Sequence, residues 1–393
     1  MGGHSSLKLL GALSSPSVAV SHLHIVVCTH ADRDHAGGLT DLLDYKLSVQ
    51  VDEFWLPGAW SDMLPGLLQN PKQVVDELVE ELKGFVPDEK QDPDQNDDDN
   101  FESRVHARLA DKRRETERDR RGNESRADPK WQADAAGLEW LKEQAANLDI
   151  DAANDAASAK AFSRGRRLVR YHASKMVLDR QWVAFWVSLI DTAERIRKIA
   201  VQAIRHNVKV RWFDFGGFFK TRQAFGGQPG LLVPLNSVEL VVPPPPVGGL
   251  MSYVARLTPI NEECLVFMSP GHWPDELGVV FTGDSPLGNG PGYSQTWLNV
   301  PQKSWQRVVA TAPHHGSESN AMAYNHLTKM VHVVLWLRSG GSSKHPGPTF
   351  RGLPPAMRAC THCPHQMFDR GIAEVQLSNF WCIFRVRAHY CNC

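Results

Sequence analysis

The sequence predicts an α/β fold: a sandwich of strands and helices interrupted by a large helical insertion. Two observations carry this. Short apolar runs of strand character come in two batches, up to Leu56 and from Val208 onward, and helical periodicity fills the interval between them. Strands grouped in this way suit a layered sandwich better than a doubly wound sheet.

The elements follow in order. Ser21–Cys28 alternates and then turns continuously apolar through Ile25, Val26 and Val27, as a buried strand does. A polar loop comes next, and Ala36–Tyr45 has helical spacing in Leu39, Leu42 and Leu43. Val49–Leu56 reads as a second strand, closed by Pro57-Gly58. Lys72–Phe85 reads as a helix. From Pro87 to Pro129 large apolar residues almost vanish. The first part of that stretch is acidic (Asp92, Asp94, Asp97, Asp98) and the second is rich in arginine (Arg113, Arg114, Arg118, Arg120). It buries too little surface to offset the entropy of ordering, so a mobile or solvated helical segment is expected. Periodicity resumes over Trp131–Phe162 and Tyr171–His206.

Strand signals then return at Val208–Phe215, Leu231–Val242, Cys264–Met268, Val279–Thr282, Val308–Ala312 and Val331–Leu337. Glu374–Leu377 and Phe380–Val386 suit a closing hairpin. The expected organisation is a sandwich domain in two parts, residues 1–69 and 208–358. A charged, partly mobile helical insertion spans 70–207, and a Cys-rich tail spans 359–393.

A chain of 393 residues exceeds one usual domain, and 42% hydrophobic with 22% charged residues is ordinary for a soluble protein. The net charge of −1 gives no chain-wide sign of a nucleic-acid or membrane partner. Gly11 breaks the apolar stretch Leu7–Leu13, and the most apolar helix, Trp182–Ile190, falls far short of the ~20 residues that cross a bilayer. A soluble, cytoplasmic protein is expected. Seven cysteines, most of them after residue 359, suggest thiols or metal ligands more than disulfides.

The chemistry concentrates in Thr29-His30-Ala31-Asp32-Arg33-Asp34-His35, where four potential ligands fall within six residues directly after an apolar strand. A tight loop leaving a strand can aim alternate side chains into one cavity, so His30 and Asp32 suit one cation while Asp34 and His35 face a second. Burying imidazoles and carboxylates together is costly without a cation. Gly37 and Gly38 let the backbone turn sharply.

This run resembles the His-x-His-x-Asp-His signature of the metallo-β-lactamase superfamily, with Asp32 where the second histidine normally stands. That variant, followed by Ala36-Gly37-Gly38-Leu39, is similar to the hydrolase domain of the bacterial DNA-uptake competence channel and its free-standing relatives. Three further matches occur in the family's order: Phe281-Thr282-Gly283-Asp284, Ala312-Pro313-His314-His315-Gly316-Ser317 and Lys344-His345-Pro346. The resemblance covers about residues 1–56 and 208–350. It implies an αββα sandwich and two divalent ions, zinc or manganese, held by His30, Asp32, Asp34, His35, Asp284, His314 and His345, with Asp284 bridging. Asp34, His315 and Lys344 are then the candidate catalytic residues, and Ser317 or Lys344 would hold a phosphate oxygen. The carboxylate of Asp32 adds charge and a hard donor, which favours manganese or a mixed site.

Two features depart from the pattern. Pro270-Gly271-His272 resembles the ligand turn of the glyoxalase-type branch, but only eleven residues separate His272 from Asp284, and Asn261–Phe267 reads as the strand before that turn. The family's opening hairpin ends in Asp-Gly-Gly, whereas this sequence begins Met1-Gly2-Gly3-His4, as though that hairpin were missing.

The branch implies phosphodiester hydrolysis, with DNA among the substrates, and no membrane partner. The arginines between Arg104 and Arg126 can track a nucleic-acid backbone, although no aromatic platform accompanies them, and a solvated helix is the plainer reading. Hydrolysis of a lactone, thioester or β-lactam would use the same ions. A non-catalytic scaffold would instead bind a protein partner through the insertion. In the tail, Cys360, Cys363, Cys391 and Cys393 suggest an additional structural zinc. His22, His24, His106, His172, His206, His326 and His332 read as ordinary surface or core residues.

Overall fold

The computed structural model describes residues 20–40, 42–43, 49–84, 136–146, 152–178, 180–240, 253–258, 260–271, 276–298, 307–340, 345–361, 374–377, 384–387 and 391. It is a mixed α/β structure with parallel and antiparallel strand pairing. The chain divides into two units, Met1–Trp212 with Leu240–Ile260 and Phe213–Glu239 with Asn261–Cys393.

In the first unit, β1 (His22–Val27) runs parallel to β2 (Gln50–Pro57), with His22 opposite Gln50 and Val27 opposite Trp55. β3 (Lys209–Asp214) follows β2 in the sheet, which leaves β1 at its edge among the described residues. Where a helix is expected over Ala36–Tyr45, helix is found only in α1 (Arg33–Ala36), and the described residues beyond it, 37–40 and 42–43, form turns. α1 ends where Gly37-Gly38 removes the conformational bias that would carry the helix on. Gly37–Thr40 continues as turns, and Thr40 Oγ1 donates to the Gly37 carbonyl at 2.9 Å.

Longer helices in the unit include α2 (Leu64–Gln69), α3 (Pro71–Gly84), α4 (Ala136–Gln144), α5 (Ala152–Lys175) and α6 (Arg180–Arg205). α6 buries Trp186, Leu189, Ile190, Ala193, Ile196, Ile199, Ala200 and Ala203, the three- and four-residue spacing of one helix face. α3 contributes Val74, Leu78 and Leu82 in the same way. These side chains share one core with Phe54 and Leu56 of β2. The helices read as an insertion therefore pack into the same hydrophobic cluster as the N-terminal strands. Each fully buried side chain of this kind contributes roughly 1.5–3 kcal/mol. Gly165 permits the close approach of α5 to α3, since a Cβ there would collide with Val75 Cγ1.

The second unit is built on a six-stranded sheet. Its strands are β4 (Val233–Pro234), β5 (Phe267–Ser269), β6 (Gly278–Phe281), β7 (Arg307–Thr311), β8 (His332–Arg338) and β9 (Arg358–Cys360). They lie side by side in the order β9-β8-β7-β6-β5-β4. β6, β7, β8 and β9 are mutually parallel, while β5 runs antiparallel to both β6 and β4. Residues Asn261–Glu263, expected to open the strand of β5, form a 3-10 turn, and the strand itself starts only at Phe267. Antiparallel pairing of β10 (Glu374–Leu377) with β11 (Phe384–Arg387) supplies the expected hairpin. Cys360, at the end of β9, and Cys391 are both fully buried in the apolar cluster of this unit. The other tail residues offered as zinc ligands, Cys363 and Cys393, lie outside the described residues, as do the opening segment Met1-Gly2-Gly3-His4 and the arginines from Arg104 to Arg126. Among the described residues, no helix is long and apolar enough to cross a membrane.

Candidate metal centre

Loops at the carboxyl ends of parallel strands carry the ligands the sequence singles out. That is the edge of an open α/β sheet where ligands generally bind. In the first unit, His30, Asp32, Asp34 and His35 follow β1 and run into α1. In the second unit, Asp284 follows β6, His314 and His315 follow β7, and His345 follows β8, so three neighbouring strands deliver them side by side.

The first group is organised by Thr29, which the sequence reading left without a role. Its hydroxyl lies 3.0 Å from His30 Nδ1 and 3.4 Å from His35 Nδ1. A hydroxyl oxygen can accept from both Nδ1–H groups, which puts the lone pair of each imidazole on Nε2. The two rings lie tilted at 48° to one another with centroids 4.2 Å apart. His30 Nε2 stands 3.2 Å from Asp32 Oδ2, and His35 Nε2 stands 4.0 Å from Asp34 Oδ2. Asp32 occupies the N-cap position of α1 yet makes no side-chain cap bond, its carboxylate being turned to His30 instead. His30 is buried, and Asp34 is the most solvent-open member of the group.

Arg195 of α6 supports this loop from behind. Its Nε donates to the Ala31 carbonyl at 2.8 Å, and an Nη donates to Thr192 Oγ1 at 3.1 Å. Burial pushes the Arg195 guanidinium below its usual range, and the nearby charge of Asp32 partly restores it. The sequence signal for this role is an arginine in the middle of an apolar helix face.

The second group centres on Asp284, a carboxylate only 3% exposed. Its backbone is fixed on both sides: its N–H donates to Cys264 Sγ at 3.1 Å, and Asn320 Nδ2 donates to its carbonyl at 2.9 Å. His314 Nε2 lies 3.9 Å from one carboxylate oxygen and His315 Nε2 lies 3.9 Å from the other. These separations exceed a hydrogen bond, so the imidazoles flank the carboxylate without closing on it. His315 Nδ1 donates to the Ser339 carbonyl at 3.0 Å, which leaves the lone pair on Nε2, the atom turned toward Asp284. The rings of His314 and His345 have centroids 5.7 Å apart.

Local backbone geometry places these rings at a cost. His314 (φ 46°) and His315 (φ 54°) both adopt the left-handed conformation, followed by Gly316 (φ 80°). Each such non-glycine residue costs of order 1–3 kcal/mol and persists only where its surroundings hold it. Here the His314 N–H donates to the Gly283 carbonyl at 3.0 Å, and the Gly347 N–H donates to the Gly316 carbonyl at 2.8 Å. Arg338, buried at the end of β8, donates from Nε to the His315 carbonyl at 2.9 Å and from an Nη to the His345 carbonyl at 2.7 Å. Its other Nη donates to Cys360 Sγ at 3.1 Å.

Each group by itself fits divalent cations: the donors are imidazole nitrogens and carboxylate oxygens, and His30, His35 and His315 each have a partner on Nδ1. Ser317 is committed elsewhere, because its hydroxyl caps the 3-10 turn Glu318–Asn320 and sits 2.9 Å from Ser319 Oγ. Lys344 and His272 lie outside the described residues. No protein-family model, curated protein or solved structure matches this chain.

Proposed function

We propose that this chain is a metal-dependent hydrolase of the metallo-β-lactamase type, with the αββα layering of that fold, acting on phosphodiesters. In this reading His30, Asp32, Asp34, His35, Asp284, His314 and His345 would hold two divalent ions, zinc or manganese. The observation that carries it is the buried Asp284 carboxylate flanked by the Nε2 atoms of two histidines held in left-handed backbone. Motif order and the Thr29 hydroxyl behind His30 and His35 add independent support.

A pair of divalent ions, when bound, supplies a water of lowered pKa and polarises the scissile group. Asp34 orients the attacking water. His315, with Nδ1 tied to the Ser339 carbonyl, holds a lone pair at Nε2 that can take the proton released by the attacking water and return it to the departing oxygen as the P–O bond breaks. With Ser317 committed to its turn, Lys344 is the candidate for holding a phosphate oxygen. The charge balance favours an anionic substrate. Three carboxylates (Asp32, Asp34 and Asp284) leave part of the charge of two divalent ions uncompensated, and a phosphodiester completes it.

The test is metal content by mass spectrometry, together with hydrolysis of bis(p-nitrophenyl) phosphate and of DNA in Mn²⁺ and in Zn²⁺, for the wild type and Asp284→Asn. At least two equivalents of metal and Asp284-dependent phosphodiesterase activity are expected. Turnover of lactones or thioesters alone would move the substrate to the carbonyl class. A metal-free, inactive wild-type chain would overturn the hydrolase reading in favour of a scaffold.

A further inference from the structure

A second, separate cluster of ligand-type side chains lies on the first unit. His22 and His24 are two residues apart on β1, so they project from the same face of the strand, and both are solvent-exposed. Asp52, on the adjoining β2, reaches between them. His22 Nε2 is 2.8 Å from one of its oxygens and His24 Nδ1 is 3.0 Å from the other. The two rings meet edge to face with centroids 4.5 Å apart. One ligand atom from each of the three residues lies within 4.8 Å of the others.

We infer that His22, His24 and Asp52 form a surface site for a borderline divalent cation, Zn²⁺ or Ni²⁺, distinct from the centre proposed above and independent of it. Two imidazoles and a carboxylate are a donor set that such ions prefer. Bonds of about 2.0–2.2 Å in a tetrahedral arrangement separate neighbouring donors by roughly 3.3 Å, so a small widening of the present contacts admits the ion. Parallel pairing of β1 and β2 holds the donors on adjacent strands, with Leu23 opposite Val51 and Ile25 opposite Glu53 on either side of the cluster. Little conformational entropy is therefore left to lose on binding. Three protein donors leave a coordination position open to solvent or to a ligand from another molecule. A bound ion would also pin the edge strand β1 to β2.

The experiment uses the full chain, stripped of metal, with Zn²⁺ in equilibrium dialysis and Ni²⁺ in a retention assay on immobilised metal. Wild type is compared with His22→Gln, His24→Gln and Asp52→Asn, each checked by circular dichroism. The expected result is one Zn²⁺ equivalent fewer in each variant, weaker retention on Ni²⁺ for both histidine variants, and loss of the Zn²⁺-induced rise in melting temperature. His30→Ala serves as the control. It removes metal from the proposed catalytic centre and leaves the His22 site filled, so failure of one site is distinguishable from failure of the other. Equal Zn²⁺ stoichiometry in wild type and in folded His22→Gln, His24→Gln and Asp52→Asn would overturn the inference.

Discussion

Arg338 holds His315 by its backbone: the guanidinium Nε donates to the His315 carbonyl at 2.9 Å, in the middle of a left-handed stretch that would otherwise relax. The same side chain binds the carbonyl of His345, so one buried cation fixes the loops after β7 and β8. Replacing it with methionine keeps the apolar volume and leaves two carbonyls unsatisfied. Arg338→Met is therefore expected to lower stability by about 2–4 kcal/mol, read as a lower urea midpoint with unchanged slope. Arg338→Lys should recover only part of the loss, because a single ammonium cannot reproduce the planar fork. An unchanged midpoint in Arg338→Met would show that the loops hold their shape without it.

Thr29 offers a cleaner test of ring orientation. Thr29→Val preserves shape and removes the oxygen that both Nδ1 atoms face. Stability should change by no more than about 1 kcal/mol, while affinity for Mn²⁺ or Zn²⁺ at the proposed centre should fall roughly 10- to 100-fold, the usual effect of losing an outer-shell partner. Competition against a chromophoric chelator measures it. An unaltered affinity would mean the hydroxyl has no part in orienting the rings.

The helical part of the first unit has its own electrostatic lock. Arg166 Nη1 of α5 lies 2.8 Å from Asp191 Oδ1 and 2.6 Å from Glu194 Oε2, both on α6. Burial pushes the Glu194 carboxyl up, but the bonds from Arg166 and Lys198 outweigh it and hold the group below the ordinary glutamate range. A depressed carboxyl stabilises the fold above its unfolded pKa, and that contribution is lost as pH falls through the folded value. Acid unfolding should therefore draw on this group below roughly pH 4.5. In Arg166→Met the burial effect dominates, and the acid midpoint should move to higher pH, with about 1.5–3 kcal/mol lost at neutral pH. A midpoint that stays in place or moves lower would contradict the assignment.

Periodicity and punctuation made much of this legible in the sequence. β1, β2, α3 and the parallel strands β7 and β8 lie where apolar runs and helical spacing put them, within a few residues, whereas the helix expected from Tyr171 begins only at Arg180, Tyr171 belonging to α5. Failures have local causes. Leu39, Leu42 and Leu43 imitate a helix, but Gly37-Gly38 ends α1 before they begin. Asn261–Glu263 sits beside an apolar run and was drawn into it, although the chain turns there. What composition could not show is who supports whom. Arg195 and Arg338 act on carbonyls 164 and 23 or fewer residues away, and nothing in their own neighbourhoods announces those partners. Conversely, His22 and His24 read as ordinary until β2 brings Asp52 beside them.

Asp32 sets the expected metal preference. Its carboxylate lies 3.2 Å from His30 Nε2 and forgoes the cap bond that its position at the start of α1 would allow. A hard, charged oxygen in place of an imidazole favours manganese relative to zinc. Asp32→His should reverse this. The ratio of Zn²⁺ to Mn²⁺ affinity, measured by competition at the proposed centre, is expected to rise by at least about tenfold, because the change replaces an oxygen donor with a nitrogen donor and removes a negative charge. The negative charge lost from the site should also strengthen binding of anionic substrates and lower KM, while the loss of manganese depresses kcat in Mn²⁺ buffers. If the ratio did not change, Asp32 would lie outside the coordination shell. Its contact with His30 would then only orient that ring.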